Sequence, residues 1–94
     1  MRVKKGFILR ELAGEKIISG EGLEQIDFNK IVTLNSSAAY IWENIYDKEF
    51  DLSFVTELLT SRYNVENSIA QEDASKLISS WTEIGLIGTI KYFV

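Results

Sequence analysis

Apolar positions along this chain change their period partway through. Phe7–Leu12 and Lys16–Ser19 are short, aliphatic-rich runs separated by Ala13-Gly14-Glu15. That three-residue, Gly-containing spacing predicts a hairpin with a bulge. A third strand is predicted at Ile31–Leu34, where a period of two turns Val32 and Leu34 one way and Ile31 and Thr33 the other, so that one pair enters the core. Gly20–Lys30 lies between, with two glycines and three carboxylates that suggest a loop. Its Leu23, Ile26 and Phe28 need cover and are expected to fold back under the sheet.

From Asn35 the period becomes helical. Asn35 or Ser36 is placed to cap free amides, and Ala38/Ala39, Ile41/Trp42 and Ile45/Tyr46 form an apolar face that ends at Asp47–Phe50. A second helix is predicted from Asp51 or Ser53, with Phe54/Val55, Leu58/Leu59 and Tyr63 on its stripe, stopping where Asn64 and Asn67 bring turn chemistry. Ser68 and Gln71 match a capping box for a third, with Glu72 and Asp73 favourable to its dipole. Its stripe is Ile69/Ala70, Ala74, Leu77/Ile78, Trp81 and Ile84, and Gly85 suits a left-handed stop. Leu86–Val94 reads as one more apolar strand.

Strands, then three helices, then a strand predict an α+β domain with helices on one side of a small antiparallel sheet. The 94 residues suffice for one domain that buries roughly 60–70% of its unfolded surface. With no proline and no Gly/Ser-rich tract, no linker divides residues 1–94, and the chain is expected to be compact from about Gly6 onward.

The side chains exclude much chemistry. Cysteine and histidine are both absent, which removes disulfides, thiolate metal sites, a thiol nucleophile, the usual neutral-pH base and the commonest zinc ligands. Asp47, Glu49 and Asp51 cluster between two helices, but they lack a calcium-loop spacing and are read as solvated acids that cap and terminate helices. Ser36-Ser37 has no specified base, and Gly20-Glu21-Gly22 has no phosphate-binding lysine. No catalytic role, metal or cofactor is assigned. The net charge is −4, and the basic trio Arg2, Lys4 and Lys5 is read as a solvated tail, so neither nucleic acid nor membrane is an expected partner. A cysteine-free chain without a secretory signal predicts a cytoplasmic protein.

The segment Lys30–Trp42, KIVTLNSSAAYIW, joins a strand directly to a helix. Its Leu-Asn junction, small residues and Ile-Trp pair resemble the signature of the PqqD-like family, whose domains are also called RiPP recognition elements. Trp81–Ile87, WTEIGLI, is similar to that family's closing helix and Gly-Leu-Ile exit. Many relatives have proline after Leu-Asn, where this chain has Ser36. The resemblance implies a winged helix-turn-helix with its three-stranded sheet moved to the front. It also implies a non-catalytic chaperone for peptide modification, which holds the leader of a ribosomally made precursor as an added strand and presents it to an enzyme, often a radical SAM protein.

Carried over by position, Ile31, Val32, Thr33 and Leu34 would supply the strand backbone, and Leu77, Ile78 and Trp81 the groove on the third helix. A border strand offers unpaired amides and carbonyls, and Ile31–Leu34 carries neither charge nor proline to guard them, with Lys30 guarding only its start. Trp42 is read as core, whereas Trp81 suits core and groove equally. Two other classes compete: a winged-helix DNA-binding regulator, and a small assembly subunit that forms homo-oligomers through Thr89–Val94. The third helix argues against DNA, because Lys76 stands alone among Glu72, Asp73 and Glu83.

Overall fold

The computed structural model describes residues 1–4, 6–20 and 32–88. In chain order the elements are β1 (Arg2–Val3), β2 (Phe7–Leu12), β3 (Glu15–Gly20), β4 (Val32–Leu34), α1 (Ser36–Ile45), α2 (Leu52–Arg62), α3 (Asn67–Glu83) and β5 (Ile87–Gly88). The α+β class and the strand–helix order match the expectation. β2, β3 and β4 form an antiparallel sheet in that order, and β1 pairs with β5 in a second. The predicted roles of Leu23, Ile26 and Phe28, and the strand character of Thr89–Val94, lie outside the described residues.

The hairpin is tighter than its spacing predicts. Leu12 pairs with Glu15, which leaves a two-residue loop rather than a bulged three-residue one. Ala13 at φ 53° and Gly14 at φ 82° both take the left-handed turn that matches strand twist. Ala13 is strained there. Left-handed backbone costs a non-glycine residue about 1–2 kcal/mol, against about 0.5–1 kcal/mol of extra chain entropy for glycine. Ala13→Gly is therefore expected to raise stability by about 0.5–1 kcal/mol in urea denaturation, and an unchanged or lowered midpoint would contradict the turn assignment.

Alternation places Leu9, Ile18 and Val32 in register across the three strands, on the face turned to the helices. Ile18 and Leu34 are buried there, while Thr33 is exposed on the other face. Val32 and Leu34 are thus the pair that enters the core. The helices lay Ala39, Ile41, Trp42, Ile45, Val55, Ala74 and Trp81 against them. The two tryptophans meet edge to face at 5.6 Å and 83°, a favoured quadrupolar geometry.

Local signals explain two helix starts and fail at the third. Asn35 Oδ1 accepts from the Ala38 amide and Asp51 Oδ1 from the Phe54 amide, both at 2.8 Å. At α3, by contrast, the Ser68/Gln71 capping box is not formed. The helix starts at Asn67, with Glu66 in the cap position and no side-chain cap bond. The Glu66 carbonyl accepts from Ala70 at 2.9 Å, so Ser68 falls inside the first turn, where its hydroxyl cannot cap. Ala70 and Ala74 of its first two turns are buried against the core.

The exit of α3 follows the expectation. Gly85 has φ 89°, the Leu86 amide donates to the Trp81 carbonyl at 2.8 Å, and the Gly85 amide to that of Thr82 at 3.1 Å, the paired bonds of a Schellman stop. Three members predicted on apolar stripes are instead exposed: Tyr46 at 47%, Ile69 at 49% and Ile84 at 51%. Tyr46 and Ile84 are cap residues beyond the last helical turn, and Ile69 stands in the first turn of α3, on the solvent side of Ala70.

The N-terminus corrects the reading of a solvated tail. Arg2 pairs with Gly88 and Val3 with Ile87, the Lys4 amide donates to the Leu86 carbonyl, and the Met1 ammonium and Arg2 Nε reach Glu49 at 2.6 and 3.1 Å. A hydrogen bond from the Met1 ammonium, assisted by Arg2, holds the Glu49 carboxyl below its usual value of 4.5. A two-residue strand has no periodicity to read, and its partner lies more than 80 positions away.

Candidate functional site

β4 is held to its sheet along one side only. It pairs with β3 through Lys16–Leu34, Ile17–Thr33 and Ile18–Val32, and among the described residues no strand pairs with its other edge. The junction that follows is rigid: Asn35 ends the strand, caps α1 and accepts from the Ser37 hydroxyl at 3.0 Å. A strand leaving the core is thereby turned into a helix within one residue.

A cleft of about 460 Å³ opens at this junction. Its α1 wall is Asn35, Ser37, Ala38 and Ile41, and Leu59 of α2 also lines it. Its opposite wall is α3, through Asp73, Lys76 and Leu77. The arrangement is an apolar floor under a polar rim, the usual construction of a ligand pocket. Spacing explains the α3 wall: Asp73, Lys76 and Leu77 share one flank of the helix, while Ala70, Ala74, Ile78 and Trp81 share the buried one.

The residues singled out from the sequence divide between these surfaces. Val32, Thr33 and Leu34 form β4, and Ile31 lies outside the described residues. Leu77 is half-buried and borders the cleft. Ile78 at 8% and Trp81 at 2% exposure belong to the core, behind the wall rather than on it. Trp81 stands edge to face with Trp42 at that depth. The 3.6-residue stripe placed these neighbours on one face, but a stripe cannot tell which flank meets solvent. Asp73 and Lys76 were legible as neighbours of Leu77 by spacing, whereas Leu59, on another helix, carried no signal.

Lys76 donates to Glu72 at 3.1 Å across one turn. That hydrogen bond, and then the fields of Glu72 and Asp73, hold its ammonium above the usual 10.5. Among the described residues no three potential metal-ligating side chains come together, and no helix is long and apolar enough to cross a membrane. The acids between α1 and α2 have structural work: Asp47 takes φ 65° at the α1 exit, Glu49 anchors the N-terminus and Asp51 caps α2.

The family model described as Coenzyme PQQ synthesis protein D (PqqD) matches residues 12–87. Among solved structures, the chain is similar to TbiB1 in complex with the TbiA(beta) leader peptide, with a TM-score of 0.73, 10% identity, and coverage of 98% of this chain and 100% of that one. It is also similar to lasso peptide synthetase B1 complexed with the leader peptide, with a TM-score of 0.67, 24% identity, and coverage of 90% and 93%. At these identities the likeness is one of fold. Comparison with curated proteins gives no match.

Proposed function

Because the chain belongs to the family of coenzyme PQQ synthesis protein D, we propose that it is a non-catalytic peptide-binding module, holding the leader of a ribosomally made precursor peptide as an added strand on β4. It presents the rest of that precursor to a modifying enzyme, such as a radical SAM protein, in the cytoplasm. The carrying observation is the border position of β4 with a cleft at its end walled by α3. Strand addition takes affinity from main-chain hydrogen bonds and selectivity from side-chain pockets beside the edge. Both parts are present here: the backbone of Val32–Leu34 and the apolar floor that includes Leu77. Ile78 and Trp81 support the wall from behind. That two structures of this fold were solved with leader peptides supports the same reading.

The test is amide exchange on the isotope-labelled chain, titrated with the leader of a short precursor encoded beside its gene. Amides of Val32–Leu34 that face away from β3 should exchange about tenfold more slowly at saturation, the protection of one net hydrogen bond of about 1.4 kcal/mol. Protection confined to β2, or to no strand, would overturn the proposal.

A further inference from the structure

The α3 wall of the cleft is not electrically balanced. Lys76 and Asp73 both border the cleft, yet Lys76 is tied to Glu72, while Asp73 has no ion pair among the described residues. The three charges leave one negative unit beside the apolar floor. On the sheet, Lys16 stands opposite Leu34 on β3, one strand inward from the open edge.

On the leader-binding reading, from which this follows, we infer that the segment docked here carries a lysine or arginine two positions from the apolar residue that enters the cleft, and that Asp73 selects it. An extended peptide alternates its side chains, so the residues two positions from an inserted apolar one return to the cleft side and meet its rim. A cation there meets the Asp73 carboxylate, and an acid meets repulsion. Because the rim is exposed, the discrimination is modest, about 2–10-fold between lysine and glutamate at low salt. It fades as the screening length falls from about 30 Å at 0.01 M salt to about 3 Å at 1 M. Asp73 is thus a specificity residue, whereas Leu77 and the β4 backbone provide affinity.

The experiment is selection of a random dodecapeptide display library on the full chain and on Asp73→Lys and Asp73→Asn, with amide shifts locating the winning peptides. Asp73 is exposed, so both variants should melt with wild type. Supporting results are peptides that perturb Val32–Leu34 and Leu77, enrichment of Lys or Arg two positions from an apolar residue on wild type, levelling on Asp73→Asn, and a turn to Asp or Glu on Asp73→Lys. Peptides that occupy the same place with no charge preference, or with an acidic one, would overturn the inference and leave leader binding standing. Peptides that bind elsewhere, or no selected binder at all, would overturn leader binding at β4, and the inference with it.

Discussion

Trp81→Ala should destabilise the domain by about 3–5 kcal/mol, the range for truncating a buried aromatic whose cavity its neighbours cannot fill. Small domains carry only about 5–15 kcal/mol in total, so the variant should be largely unfolded or close to its transition at room temperature. The reason lies in what the ring touches. Trp81 is 2% exposed and stands edge to face with Trp42. Its loss opens the contact between α1 and α3. Urea denaturation followed by far-UV circular dichroism measures the effect. A loss below about 1 kcal/mol would mean that the indole is peripheral, contrary to its burial.

Leu77→Asp should have the opposite profile, a folded protein that binds its leader about 10–100-fold more weakly. A carboxylate at Leu77 stays at the cleft border and can reach water, so the fold tolerates it. Once a peptide covers the cleft, that carboxylate is left without a partner, at a cost of about 1–3 kcal/mol. Calorimetric titration of the leader against wild type and variant, with thermal melts of both, separates binding from folding. Unchanged affinity in a folded Leu77→Asp chain would remove the α3 wall from the site. The neighbouring Ile78→Asp is the wrong probe, because Ile78 is a core residue at 8% exposure. A carboxylate there would damage the fold before it reported on the cleft.

The sequence alone determined what short-range physics controls. Backbone period marks β2, β3 and the three helices, and Asn35 and Asp51 cap because a side-chain oxygen three residues ahead of a free amide needs no distant partner. Gly85 stops α3 because that backbone conformation suits glycine. Absent cysteine and histidine limit the chemistry without reference to any fold.

Tertiary structure decided everything that depends on which surfaces meet. The pairing of β1 with β5 joins opposite ends of the chain through main-chain bonds, which leave no side-chain pattern. The N-cap of α3 is Glu66 rather than Ser68, and no side-chain bond marks it. Leu77 and Ile78 are adjacent on the same apolar stripe, and only the packing of α3 on the core sends one to the cleft and the other inside. The cleft itself joins residues from α1, α2 and α3. A hollow between three elements has no period, because its volume is set by what their packing leaves unfilled.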